Sequence, residues 1–104
     1  MSIYEIYAAE EFIKVYRKLD NAEKNWIKKV RWNLKEKITG KLLHSNWLLE
    51  KKFKGKRLYF VVDEEKKKVL LVTYSSKKKQ QEVINQIIGD KEELFNHLRT
   101  LGQT

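Results

Sequence analysis

Residues 47–83 read WLLEKKFKGKRLYFVVDEEKKKVLLVTYSSKKKQQEV, and the fold is decided in this stretch. Two apolar runs, Leu58-Tyr59-Phe60-Val61-Val62 and Val69-Leu70-Leu71-Val72, are rich in the branched and aromatic residues that suit strands. Lys54-Gly55 and Asp63-Glu64-Glu65-Lys66 interrupt them with turn residues. Residues 47–54, 56–63 and 67–74 are therefore expected as three strands of an antiparallel meander. Cations frame that meander. Lys51, Lys52, Lys54 and Lys56 precede Arg57, and Ser75-Ser76-Lys77-Lys78-Lys79 follows the last strand. Strands fix side-chain direction, so alternate residues on neighbouring strands can aim several cations at one spot, an arrangement suited to a polyanion such as nucleic acid.

On the N-terminal side, residues 2–7 form a short β-like segment, after which the period turns helical. Phe12, Val15, Tyr16 and Leu19 share one face of a first helix. Asp20 and Glu23 have capping-box spacing, so a second helix starts there and runs to about Ile38, stopping at Thr39-Gly40. Its buried stripe is Trp26, Ile27, Val30, Leu34 and Ile38, and the short loop makes the two helices an antiparallel hairpin. Residues 42–46 are a connection. On the C-terminal side, a helix from near Ser76 to Gly89 buries Val83, Ile84, Ile87 and Ile88. A last helix opened by Asp90 and Glu93 carries Leu94, Phe95, Leu98 and Leu101. The order is β-α-α-β-β-β-α-α: an α+β class, with a small antiparallel sheet and a helical hairpin packed on one face.

The 104 residues make one domain, and a hydrophobic share of 41% is that of a folded chain. Lys+Arg 23 against Asp+Glu 14 leaves a net charge of +9, which speaks of an anionic partner rather than of fold. A solvated, lysine-rich surface is the bland alternative. Without cysteine there is neither a disulfide framework nor a thiolate site, and His44 and His97 stand too far apart for a metal-ligand spacing. No cofactor or metal is expected. No run approaches the ~18–20 apolar residues that span a bilayer, and residues 1–20 lack a secretion-signal pattern. A cytoplasmic protein with no membrane partner is expected.

The order of elements and the motifs of residues 47–83 resemble the RelE/ParE toxin superfamily of type II toxin–antitoxin systems. Trp47 is similar to the aromatic residue that opens the family's second strand. Gly55-Lys56-Arg57-Leu58-Tyr59-Phe60-Val61-Val62-Asp63 resembles its turn-Arg-Leu-x-Tyr-x-Val strand. Ser75-Ser76-Lys77-Lys78-Lys79 sits where the family has a basic loop. The resemblance implies a RelE-like toxin that binds RNA and cleaves mRNA on the ribosome. In such cleavage the 2′-hydroxyl attacks the adjacent phosphorus without a metal, and an acidic antitoxin protein restrains the toxin. It also implies an alternative, since ParE-type members keep the fold, lack the cleavage residues and inhibit DNA gyrase. A third reading is a degenerate basic nucleic-acid-binding domain.

Carried over by position, Arg57 matches the strand arginine that contacts the scissile phosphate, and Lys77 matches a basic or histidine position after the last strand. Lys52 and Lys54 lie in the strand that bears catalytic lysines in one branch, and Glu50 could occupy one of those places. The family's tyrosine in the following helix is replaced by Val83. From the residues themselves, Arg57 grips two phosphate oxygens, or else pairs with Glu50 or Asp63 across the hairpin. Lys77, Lys78 and Lys79 stand where free N–H groups of a helix start also draw phosphate. Lys52, Lys54 and Lys56 share a sheet face, or protect an edge strand. Tyr59 and Tyr74 stack on bases or pack in the core. Trp32, among Lys28, Lys29, Arg31 and Lys35, marks a partner surface or packs on the last helix.

Overall fold

The computed structural model describes residues 3–102. A five-stranded sheet in the order β1-β5-β4-β3-β2 carries helices on both faces. The strands are β1 (Glu5–Ala8), β2 (Lys41–His44), β3 (Leu48–Phe53), β4 (Lys56–Asp63) and β5 (Lys68–Ser76). The helices are α1 (Glu10–Arg17), α2 (Asn21–Leu34), α3 (Gln80–Gly89) and α4 (Lys91–Thr100), with a 3-10 turn at Lys77–Lys79 leading into α3. Strands β2 to β5 are antiparallel, whereas β1 runs parallel to β5. The sheet is therefore mixed, not purely antiparallel.

The two apolar runs show no polar alternation because both faces of β4 and β5 are buried. Leu58, Phe60, Val62, Val69 and Leu71 pack with Phe12, Ile27, Val30 and Leu34 beneath α1 and α2. On the other face Tyr59, Val61, Leu70 and Val72 pack with Trp47, Ile87 and Leu98 beneath α3 and α4. Lys54-Gly55 closes β3 onto β4 with both residues at positive φ (52° and 74°), the backbone of a two-residue hairpin turn whose twist matches the strands.

Asp20 accepts from the Glu23 N–H at 2.8 Å, so the capping box forms as the spacing predicts. The far end of α2 differs from expectation. The helix stops at Leu34, short of Ile38, and the Lys35 carbonyl accepts from both Ile3 and Tyr4 N–H at 2.8 and 2.9 Å. A tertiary bond thus satisfies a carbonyl at the helix end, while Ile38 still packs on the core from an irregular segment. The chain freed by that early stop forms β2, a strand in place of the expected connection. Its residues are largely exposed, and its register shifts between Leu42 and His44, so no alternation marks it in the sequence.

An irregularity in β5 decides which residues meet beside Arg57. Between Tyr59 and Phe60 the register with β5 jumps from Thr73 to Leu71, leaving Val72 as an extra residue. Such a bulge reverses the facing of the residues beyond it. Tyr74 consequently joins the α2 face, and Thr73 and Ser75 oppose Tyr59 and Arg57.

Candidate nucleic-acid interface

The β3–β4 register pairs Glu50 with Tyr59 and Lys52 with Arg57. With side chains alternating, all four point to the face that α3 covers, and the bulge brings Ser75 to the same side. Arg57 is 7% exposed and Glu50 1%. Arg57 Nε lies 3.0 Å from Glu50 Oε2, yet the N–H does not point along that line, so the contact is ionic rather than a well-formed hydrogen bond. Gln80, the first residue of α3, donates to the other carboxylate oxygen, Oε1, at 2.6 Å. The Nη1 of Arg57 donates to the Lys56 carbonyl at 3.3 Å.

Below this pair, the Tyr59 and Ser75 hydroxyls are buried. Ser75 is close enough to act on the phenol, but neither hydroxyl makes a hydrogen bond of good geometry among the described residues. Burial pushes the Tyr59 phenol up and Glu50 adds to it, against the pull of Arg57, so it stays protonated at neutral pH.

Exposed lysines flank the buried arginine and the turn beside it. Lys52 lies beside Arg57 across the strand, and Lys54 stands in the turn with its Nζ 5.5 Å from the centre of the Phe53 ring, which stacks on Trp26 of α2. The Lys77 N–H donates to the Gly55 carbonyl at 3.1 Å, tying the basic segment to that same turn. Lys77, Lys78 and Lys79 are exposed, and no side chain caps the start of α3. Lys79 also borders, with Thr73, Ser75 and Val83, a cleft of about 470 Å³ between β5 and α3. None of Lys52, Lys54, Lys77, Lys78 and Lys79 enters an ion pair among the described residues. Lys52, Lys77, Lys78 and Lys79 can therefore meet an external anion without first giving up an ion pair, whereas Lys54 also lies over the Phe53 ring. Among the described residues, no three His, Asp or Glu side chains gather as a metal site, and no helix is long and apolar enough to cross a membrane.

Two expected members of the group stand elsewhere. Lys56 and Tyr74 face α2, so Lys52 and Lys56 do not share a sheet face; the two-residue turn sets Lys56 opposite Phe53 instead. Lys56 Nζ lies 3.0 Å from Glu23 Oε2, and the Tyr74 hydroxyl donates to the same oxygen at 2.9 Å. Burial raises the Glu23 carboxyl, but the bonds from Lys56, Tyr74 and the Asp20 N–H outweigh it and hold its pKa below the usual value. A carboxyl depressed in the fold adds stability above its unfolded pKa of about 4.3 and loses it as pH falls through the native value. Glu23→Gln should lower stability at neutral pH and flatten the loss between about pH 5 and 3. Urea melts with equal pH slopes for the two proteins would contradict this.

Gln80 carries no signal in the sequence. A helix counted from Ser76 begins four residues early, which hides the residue that opens α3 and reaches Glu50. Ser75 is visible only as part of a polar pair, because its facing depends on the bulge.

Neither a protein-family profile nor a curated protein sequence matches the chain. Solved structures do match. A mutant of the Escherichia coli toxin RelE in the free state superposes with a TM-score of 0.66 at 22% identity, covering 84% of this chain and 99% of that one. A chain of the intact E. coli RelBE toxin–antitoxin complex gives 0.62 at 24% identity, over 70% and 95%. The archaeal RelE–RelB complex from Pyrococcus horikoshii OT3 gives 0.62 at 15% identity, over 71% and 94%. At these identities the likeness is one of fold, and the fold of this chain is RelE-like.

Proposed function

We propose that this chain is the toxin of a toxin–antitoxin pair, acting in the cytoplasm on mRNA in the ribosome and restrained by an acidic protein partner. The observation that carries the reading is a buried Arg57 with Lys52 beside it across the strand and the Lys77–Lys79 segment tied to the neighbouring turn, on a RelE-like fold. In the proposed reaction the 2′-oxygen attacks the adjacent phosphorus and the bond to the 5′-oxygen breaks, giving a 2′,3′-cyclic phosphate and a 5′-hydroxyl. The 2′-hydroxyl proton leaves to a base and another proton reaches the departing oxygen. Glu50 sits against Nε and the Lys56 carbonyl accepts one Nη1 hydrogen, which leaves Nη2 and the second Nη1 hydrogen of Arg57 for the phosphoryl oxygens as negative charge builds. Lys52, Lys54 and Lys77 hold the flanking backbone and shuttle protons, while Lys78 and Lys79 extend the anionic track. Tyr59, buried beneath Arg57, supports the pair rather than stacking on a base.

A second reading has a specific observation in its favour. Arg57 is already neutralised by Glu50, and Val83 stands where cleaving members of the superfamily have a tyrosine. A protein of that kind acts by protein binding, as ParE-type toxins do on gyrase. Cleavage of translated mRNA and gyrase supercoiling, assayed side by side, separate the two. Cut mRNA with normal supercoiling is expected; inhibited supercoiling with intact mRNA would overturn the RNA reading.

A further inference from the structure

Helix α2 turns Ile27, Val30 and Leu34 into the core and presents Lys28, Arg31 and Trp32 to solvent, with Lys35 half-exposed at its end. Trp32 is 70% exposed, more than any other large apolar side chain among the described residues. Lys35 Nζ stands 5.2 Å from its ring centre, and these four side chains line a shallow hollow of about 230 Å³. From Lys24 to Lys35 the helix carries Lys24, Lys28, Lys29, Arg31 and Lys35 and no acid. Its own acid, Glu23, is turned inward to Lys56 and Tyr74. None of those five cations enters an ion pair among the described residues. On the other flank of the helix, Lys29 shares an open hollow of about 530 Å³ with Lys41, Lys51 and Lys52. Glu50 borders that hollow, but its carboxylate is held by Arg57 and Gln80.

A docking helix of another protein needs an apolar stripe to bury; the apolar hollow that Lys28 and Arg31 also border lies toward α1 and β1, and around Trp32 itself the lining is cationic. Exposed aromatic rings flanked by lysine and arginine instead suit unpaired nucleotides, whose bases stack while their phosphates meet the charges. We propose that the outer face of α2 is a second RNA-docking surface, where an unpaired base stacks on Trp32 and Lys28, Arg31 and Lys35 take the flanking phosphates. The inference rests on the proposed function for RNA as the polyanion, but not on Arg57 or on cleavage.

The test uses the full chain and a roughly 12-nucleotide single-stranded RNA, 2′-O-methylated so that it cannot be cut, with affinity read by anisotropy and by tryptophan quenching. Trp32→Ala should weaken binding about tenfold and abolish most of the quench, and Trp32→Phe should restore most of the affinity. Lys28→Glu with Arg31→Glu and Lys35→Glu should weaken it further and lower the salt slope by about two to three. Arg57→Ala should keep the Trp32 quench, which separates failure at this surface from failure at the candidate catalytic site. Unchanged affinity in both α2 variants overturns the proposal whatever Arg57→Ala does. So does quenching of Trp32 by polyglutamate but not by RNA, which would assign the face to an acidic protein. Should the triple variant misfold by circular dichroism, the Trp32→Ala and Trp32→Phe pair decides alone.

Discussion

Arg57→Ala is expected to abolish growth inhibition and to slow cleavage of ribosome-bound mRNA by about two to three orders of magnitude, the usual cost of losing one donor to a developing oxyanion. The substitution has a second consequence. It leaves the Glu50 carboxylate buried at 1% exposure with only Gln80 for a partner, so the fold is weakened as well. Arg57→Lys separates the two effects. It keeps a positive charge near Glu50 but loses the planar fork that meets two phosphoryl oxygens. Its stability should lie close to wild type, and its cleavage rate near that of the alanine variant. Urea melts and cleavage time courses on the same preparations check this. An Arg57→Lys protein that cleaves like wild type would show that charge alone suffices at this position.

Glu50→Ala should lower stability by about 3–5 kcal/mol, because it strands a buried guanidinium rather than trimming a surface contact. The pair itself is a different matter. Burying two charges is costly, and a buried ion pair often contributes no more than apolar groups of the same size. Glu50→Leu combined with Arg57→Met should therefore recover most of the stability lost in Glu50→Ala while remaining inactive. That pattern is the mark of a pair kept for what it positions. A loss below about 1 kcal/mol for Glu50→Ala would place Arg57 in contact with water and remove Glu50 from any positioning role.

Much of this arrangement is legible in the sequence because it depends on period and register. The two-residue turn at Lys54-Gly55 sets the β3–β4 hairpin, and alternation from it aims Arg57 and Tyr59 to one side. The capping box at Asp20 and Glu23 marks the start of α2. What the sequence hides is long-range. The N–H groups of Ile3 and Tyr4 meet the Lys35 carbonyl where α2 ends early, and β2 is an edge strand with little buried surface to impose a pattern. Lys56 and Tyr74 resemble members of the basic site because they flank it in sequence. The turn register and the Val72 bulge send them to Glu23 instead. The pairing of Arg57 with Glu50, one of the alternatives open from sequence, is what the structure holds.

Cleavage of mRNA in programmed ribosomes, with either a ribose or a 2′-deoxyribose at the mapped cut site, tests the central claim most directly. The account predicts cutting of the ribose message to 2′,3′-cyclic phosphate and 5′-hydroxyl ends, and an intact deoxy-substituted message. Equal cutting of both messages, or ends that carry a 5′-phosphate and a 3′-hydroxyl, would contradict it.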